Sequence, residues 1–498
     1  MTRLRLWTRL RLWAGENRWF AGLLVLGMTL RIVTMLGFQP ALWFPDTYTY
    51  VVTAMRPSPD LVRPAGYSFF LILLKPFHSF ALVVFVQHLL GLGVAVLVHT
   101  TARRLGAPRW AAVLAAAPVL LDAYQIELEQ LLVSDTLFAF LVVAAVCVGV
   151  SRTVARRRAY AIGLLVAAAT LTRSVGLPLL VVLGAWLLIR PDPLDASPGV
   201  REETSQETRT RALRAGAMLA AAMIPILAYG AWFWGTHNRV GLVGANGVFL
   251  YARTMSFADC SVMRPPPDIA MLCDPRPPAE RPPSQEYIWA HDAPLVLLPG
   301  ITFSADNDAR AARFATLAIR SQPLDYAGSI LSELTRTFAW DRPVYPDAEV
   351  YAYYEFPERP PPPPGRYPAQ VGAGHARDYE QGEISTRIVE PFAGWMRAYQ
   401  DVVHVPGIVL LGLLLVPPGA VLVRFARRAR TEGAALPRWP RAVWPRAAWT
   451  LPWTVAWVLL VTPAAVAEFD YRYVLPAVPL ATLAAAVCLR AADGPQTK

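Results

Sequence analysis

Apolar runs recur along this chain from residue 19 to residue 490, separated by polar stretches of very unequal length. The runs at 19–38, 80–101, 110–123, 136–151, 159–173, 176–189, 212–234, 405–423, 449–467 and 474–490 read as membrane helices. Several fall short of the ~20 residues that cross a bilayer core, so 110–123 and the pair 159–189 are read as re-entrant or tilted into a cavity. Ten spans place both termini on one side, and dropping a pair that enters and returns leaves that parity unchanged.

The polar stretches test the parity. One set of loops carries Arg3, Arg5, Arg9, Arg11 and Arg18, then Arg103, Arg104 and Arg109, then "RTVARRR" at 152–158, then 190–214, then "RFARRARTEG" from 424. Every arginine cluster lies on that side, which the positive-inside rule makes cytoplasmic. The opposite loops are 39–79, 124–135, 174–175, 235–404 and 468–473, and the longest of them carries 20 acidic and 15 basic residues. The basic stretch before residue 19 is followed by no small-residue cleavage site, so the first span is read as retained. The chain divides into an N-terminal membrane module with its first external loop (1–234), an extracytoplasmic loop domain (235–404) and C-terminal membrane helices (405–498).

Within the long loop, "ARAARFATLAIRSQPLDYAGSILSELTRTFAW" (309–340) shows helical periodicity broken at Pro323, which predicts two amphipathic helices lying on the outer leaflet. The run "ERPPPPPGRYP" (358–368) reads as a polyproline spacer, and 190–214 as a flexible cytoplasmic loop. No fixed-period repeat is present.

Composition agrees with the pattern and narrows it. Of 498 residues, 55% are hydrophobic and 17% charged, and the formal charge of +11 is almost wholly arginine, since Lys75 and Lys498 are the only lysines. That charge sits between apolar runs and marks sidedness, so nucleic acid is not an expected partner. Cys147 and Cys488 fall inside apolar runs, while Cys260 and Cys273 lie together in the external loop, where an oxidising compartment favours a disulfide. Two unpaired surface thiols are the alternative. Nothing near them has the spacing of a zinc site.

Polar residues on the outer side gather in three places. "FPDTYTYVVTAMRPSPDLVRPAGYSFFLILL" supplies Asp46, Tyr48, Arg63 and Tyr67, and "IELEQLLVSDTLFAFL" supplies Glu127, Glu129, Ser134 and Asp135. "LTRSVGLP" and "EFDYRYVLPAVPL" add Arg173 and Arg472. Ionised groups near lipid are costly and usually face a cavity or a partner. Guanidinium forks at that depth match the oxygens of a lipid phosphate, and a carboxylate beside them can take a proton from an attacking hydroxyl. Each residue also has a plainer reading. Asp46 can cap a helix starting near Thr47, Asp135 can cap the helix after it, Arg63 can pair with Asp60, and Arg472 can pair with Asp470 or Glu468. Arg31, inside the first run, is expected to pair within the bundle or snorkel.

The order of these segments resembles the GT-C glycosyltransferases, and more narrowly the bacterial phospholipid-carrier-dependent enzymes related to protein mannosyltransferases and aminoarabinose transferases. The likeness covers roughly 19–235 and 449–490. It implies an all-α polytopic membrane protein, a GT-C-type bundle of about 10 (8–11) transmembrane helices with a large mixed external loop, in the plasma membrane with an extracytoplasmic site. Carried over by position, Asp46 becomes the general base or acceptor-positioning acid. Arg63 becomes a donor-phosphate contact with Arg173 and Arg472 beside it, and Tyr48, Tyr67, Glu129 and Asp135 border the cavity. The partners implied are a polyprenyl-phosphate-linked sugar, a glycan, lipid or protein acceptor of the cell envelope, and membrane lipids. A divalent cation is a possible cofactor, though Thr47 follows Asp46 where many relatives have a second acid. A transporter or flippase of lipid-linked glycans and a non-catalytic envelope assembly protein are the rival readings.

Overall fold

A computed structural model describes residues 15–151, 154–190, 205–360, 367–432 and 447–489. The fold is helical, and its only sheet among the described residues is a two-residue antiparallel ribbon, Phe38–Gln39 against Arg387–Ile388. The expected all-α polytopic architecture is the one observed. In chain order the principal helices are α1 (Arg18–Gly37), α2 (Pro45–Met55), α3 (Gly66–Leu74), α4 (Phe80–Arg104), α5 (Arg109–Leu121), α6 (Ala123–Gln130), α7 (Asp135–Gly149), α8 (Arg156–Thr172), α9 (Pro178–Ile189) and α10 (Ser205–His237). They continue with α11 (Asn246–Thr254), α12 (Ala305–Ser321), α13 (Pro323–Thr337), α14 (Tyr367–Glu380), α15 (Phe392–Gln400), α16 (Gly407–Glu432), α17 (Thr450–Val466) and α18 (Val478–Cys488).

By length and apolarity five helices can cross a membrane, or six if α5 and α6, bent by 49° at Asp122, form one broken span. Four shorter apolar helices accompany them, one of which, Gly66–Phe77, falls in the predicted loop 39–79; each of the ten predicted runs is helical, but not all are long enough to be full spans. Large apolar residues on the bundle surface, among them Val25, Leu73, Val181, Ile224 and Leu227, stay exposed, as lipid-facing positions should. The bundle interior is packed with small residues, chiefly alanine and valine of α4, α5, α7, α8 and α18.

Three expectations need correcting. Residues 205–214 are the first turns of α10 and not a loop, because "SQETRTRALR" lacks any breaker and runs straight into the apolar segment; 191–204 lie outside the described residues. The two helices around Pro323 exist, but α12 turns its apolar face into a protein core. Its Ala311, Phe314 and Ala318 pack with Val248, Tyr251 and Leu295 into a separate core within 246–340, part of the loop expected to be external and here called the external unit. The polyproline run is only partly described, since 361–366 lie outside the described residues, and it leads directly into α14. The basic cluster before residue 15 and Arg152 also lie outside the described residues.

The external unit is clasped by a Cys260–Cys273 disulfide, 13 residues apart in sequence. It docks on the end of α17, where Arg253 Nε donates to the Ala464 carbonyl at 2.8 Å and Tyr326 Oη to that of Ala465 at 2.9 Å. Closing a loop of this size is worth about 3 kcal/mol by chain entropy. Replacing both cysteines by serine is therefore expected to speed proteolysis within 246–340 while the bundle stays folded. Unchanged cleavage rates would show that the core around Phe314 holds the unit without the bridge.

A second device sits inside the bundle. Arg31 of α1, 2% exposed, spends all five of its N–H groups: Nε and Nη2 on Glu129 at 2.7 and 2.8 Å, and the rest on the carbonyls of Gly27, Val119 and Leu120 at 3.0 Å. His88 Nδ1 lies 2.9 Å from the same carboxylate, and Gln125 Nε2 donates to it at 3.1 Å. A methyl group on Gly91 would come within 2.0 Å of Glu129 Oε1, so only glycine lets α4 pass this carboxylate. Arg31 thus pairs within the bundle, and Glu129 is its counter-ion.

Candidate active site

Three acids and three arginines from four separate stretches meet at the end of the bundle that faces the external unit. Asp46 lies in the first turn of α2, Asp135 in the first turn of α7, and Asp470 caps the short helical turn Tyr471–Tyr473. A carboxylate at the start of a helix is favoured by the unpaired amides and the dipole there. Arg63 stands in the loop before α3, turned by Asp60, whose Oδ1 accepts from the amides of Val62 and Arg63. Arg173 follows the last residue of α8, and Arg472 is in the turn after Asp470.

Asp46 is the centre of the group. Its Oδ1 accepts from Arg63 Nη2, and its Oδ2 from Arg472 Nη1 at 2.9 Å. Arg472 Nε donates to Asp470 Oδ2 at 2.8 Å, and Arg173 pairs with Asp135 Oδ1. Asp135 Oδ2 is buried without a hydrogen-bond partner, 4.0 Å from Arg472 Nη1. Rings close the group: Arg472 lies 4.4 Å from the Phe44 centroid, Arg173 4.7 Å from that of Tyr473, and Tyr354 Oη donates to Asp470 at 2.5 Å. Burial alone would push the Asp46 carboxyl up. The charges and hydrogen bonds of Arg63 and Arg472 outweigh burial and hold it well below the usual carboxylate range, so it is ionised. The Tyr50 hydroxyl, pushed up to about 12 by burial and by the charge of Asp46, keeps its proton and meets Ser134 Oγ at 3.1 Å.

The helix-cap reading of Asp46 fails on geometry. The helix starts at Pro45, Thr47 Oγ1 takes the Phe44 amide at 3.1 Å, and the Asp46 side chain turns away to the arginines. Of the residues singled out in the sequence, Asp46, Arg63, Asp135, Arg173 and Arg472 come together. Tyr67 is fully buried and donates to Gln87 at 2.6 Å. Tyr48 stacks on Trp43 and abuts Gly372 of α14, and Glu129 belongs to the Arg31 pair. Tyr67 and Glu129 are thus engaged by neighbours inside the fold, while Tyr48 is half-buried beside α14. Sequence reasoning had treated Asp470 only as a possible partner for Arg472, and its spacing two residues before that arginine was the signal. Tyr354, in the middle of the long loop, carried none.

The donor set does not suit a divalent cation. Both oxygens of Asp46 are taken by guanidinium groups, Asp135 and Asp470 are each paired to an arginine, and no cluster of three or more potential ligands exists among the described residues. The positive charge of this site is supplied by arginine.

A small cleft opens beside the group, lined by Glu333, Thr337, Glu468, Phe469, Asp470 and Tyr473 among others. Glu468 accepts there from the Gln285 amide at 3.3 Å and from Tyr345 Oη at 3.4 Å, so it ties the external unit to the bundle. Burial, with the charge of Glu333, raises the Glu468 carboxyl from its ordinary 4.5 to about 8. The unfolded chain gives up this proton first, so stability is lost as pH rises from the ordinary glutamate range through about 8. The thermal midpoint should fall across that window in wild type and fall less in Glu468→Gln; parallel curves would remove Glu468 as the cause.

No family model and no curated protein matches the chain by sequence. Among solved structures, it is similar to the S. cerevisiae protein O-mannosyltransferase Pmt1-Pmt2 complex bound to the sugar donor, at 15% identity over 49% of this chain and 36% of that one, with a TM-score of 0.34. It is also similar to the Archaeoglobus fulgidus oligosaccharyltransferase in the apo form, at 11% identity over 95% of this chain and 50% of that one, TM-score 0.42. A third is the oligosaccharyltransferase AglB of that organism in complex with an inhibitory peptide and a dolichol-phosphate, with the same identity and coverage and a TM-score of 0.38. The chain spans half or less of the length of each.

Proposed function

We propose that this chain is a glycosyltransferase that moves a sugar from a polyprenyl-phosphate donor to a glycan, lipid or protein acceptor of the cell envelope. The observation that supports this reading best is the Arg63–Asp46–Arg472 arrangement, a carboxylate between two guanidinium groups at one end of a membrane bundle. A lipid-linked phosphate is the anion that reaches this depth, and the paired forks suit its oxygens. Asp46 takes the proton of the acceptor hydroxyl as the acceptor oxygen bonds to the anomeric carbon from the face opposite the phosphate. The bond from that carbon to the phosphate oxygen breaks, its electron pair stays with the phosphate, and the sugar inverts. Arg63 and Arg472 meet the charge that develops on the leaving group. Arg173 holds Asp135 beside them.

The arginine-rich ends of α4 and α8 lie away from this group in sequence and sidedness, which supports an extracytoplasmic site in a plasma membrane with cytoplasmic termini. A transporter would want charges at mid-depth in broken helices repeated in two halves, and this group is assembled instead from helix ends and a loop. A non-catalytic assembly protein would tolerate the loss of Asp46.

The test is transfer of radiolabelled sugar in membranes containing the protein, from a panel of polyprenyl-phosphate sugars, with Asp46→Asn at matched expression. Transfer by wild type and none by the variant is expected. Equal transfer by both would remove Asp46 from the chemistry, and no transfer from any donor would shift the function to transport or assembly.

A further inference from the structure

Asp46 is required to accept a proton, yet neither of its oxygens is free to do so. Oδ1 holds Arg63 Nη2 and Oδ2 holds Arg472 Nη1 at 2.9 Å. Building on the phosphate-cradle reading above, we infer that Asp46 occupies, in the donor-free protein, the guanidinium positions that the donor phosphate takes, so that donor binding exchanges phosphate for carboxylate and frees Asp46 to act as base.

Three observations carry this. The first is equivalence of the two anions. A carboxylate and the phosphodiester of a lipid-linked sugar each carry a single negative charge, and each presents two oxygens to a fork. The second is that Arg63 has little else to hold it: beyond Asp46, its guanidinium has only a 3.4 Å contact with Thr49 Oγ1, and its side chain remains 19% exposed. It is poised to turn toward an incoming anion. The third is the orphaned oxygen of Asp135. Oδ2 is buried, lacks a hydrogen-bond partner and stands 4.0 Å from Arg472 Nη1. A buried acceptor left unpaired is costly, and here it marks a second seat for the guanidinium that lets go of Asp46. Arg472 keeps Asp470 through Nε in either position, so it can pivot without losing its anchor.

The exchange makes the chemistry ordered. While Asp46 is clamped it is a poor base, and an acceptor arriving first finds nothing to deprotonate it. Once phosphate holds the guanidinium groups, the carboxylate is released beside the anomeric carbon. Charge is conserved through the step. The acceptor proton neutralises Asp46 as the phosphate gains its second negative charge, so the arginines are left facing the anion that needs them.

An exchange also means that Asp46 competes with the donor. Removing its charge should tighten phosphate binding even as it stops transfer, because a site blocked by its own carboxylate shows an apparent affinity reduced by the fraction of time it is open. The experiment is equilibrium binding of a short-chain polyprenyl monophosphate to the full-length protein in nanodiscs, with inorganic phosphate as the headgroup-only probe. Asp46→Asn is expected to bind the lipid phosphate about tenfold more tightly or better, and Arg472→Ala to lose binding. Asp46→Ser, which removes the charge with less bulk, should tighten binding in the same way and stands in if Asp46→Asn does not fold. Binding by the two Asp46 variants that is equal to wild type, or weaker, overturns the exchange and leaves the phosphate cradle standing. No binding by wild type or by either variant overturns the cradle itself and the exchange with it. Inorganic phosphate binding as tightly as the lipid would overturn the assignment of the anion to a lipid carrier.

Discussion

Replacing Arg472 by Ala is expected to lower the rate of sugar transfer by about 10²–10³-fold, the loss typical of removing one donor that faces developing charge in a transition state. Arg472 touches more of the site than any other residue: Asp46 through Nη1, Asp470 through Nε, and the ring of Phe44 across its face. Lysine should not restore the rate. Its single ammonium can reach one carboxylate or one phosphate oxygen, but it lacks the planar fork that lets one side chain hold Asp470 while facing the phosphate. The measurement is the initial rate for wild type, Arg472→Ala and Arg472→Lys reconstituted in liposomes, each with its thermal midpoint recorded. A defect confined to folding would appear as a lowered midpoint and a rate that recovers when corrected for folded protein. A rate within threefold of wild type for the folded Ala variant would take Arg472 out of the reaction.

The loss at Arg63 should be smaller in stability and similar in kind. Arg63 is more exposed than Arg472 and sits in a loop, so its removal leaves less uncompensated charge in the interior. The pair therefore separates two contributions that a single variant mixes, which are holding the fold of the site and holding the substrate.

The helical architecture was legible because hydrophobic period acts over many residues at once. Each apolar run became a helix, and errors fell at ends, as with Ser205–Arg214, where polar sequence with good helix formers continues a helix beyond its apolar part. The convergence of Asp46, Arg63, Asp135, Arg173 and Arg472 was legible for a similar reason. Sidedness put all five at one depth, and charges near lipid seek one another. Pairing was not legible. Nothing in "IELEQLLVSD" says that Glu127, Glu129 and Asp135 face different neighbours. Glu129 goes to Arg31 of α1, and Asp135, at the start of the next helix, goes to Arg173, because the break at Leu131–Ser134 rotates the chain between them. Side-chain direction across a broken helix depends on the backbone of the break, which composition does not encode. The external unit was legible in its helices and its cysteines, but its separate core was missed, since apolar residues spread over 248–318 show no period until the chain has folded.

That difference between Glu129 and Asp135 leads to the largest expected effect on stability. Glu129→Ala should destabilise the bundle by about 3–5 kcal/mol, the cost of leaving a buried charge without its partner. Arg31 would keep its three carbonyl acceptors, but its positive charge would stand unpaired among apolar helices. Arg31→Ala should cost less. Glu129 would still have Gln125 Nε2 at 3.1 Å and the His88 ring at 2.9 Å as hydrogen-bond neighbours. Neither change touches the Asp46 group, so protein that remains folded should transfer sugar at the wild-type rate. Thermal unfolding in detergent, followed by transfer rates at a temperature below both midpoints, checks the two halves separately. If Glu129→Ala lost transfer while keeping its midpoint, Glu129 would belong to the reaction and the Arg31 pair would be incidental. A lowered midpoint with intact turnover would establish it as the internal counter-ion that holds α1 against the broken α5–α6 segment.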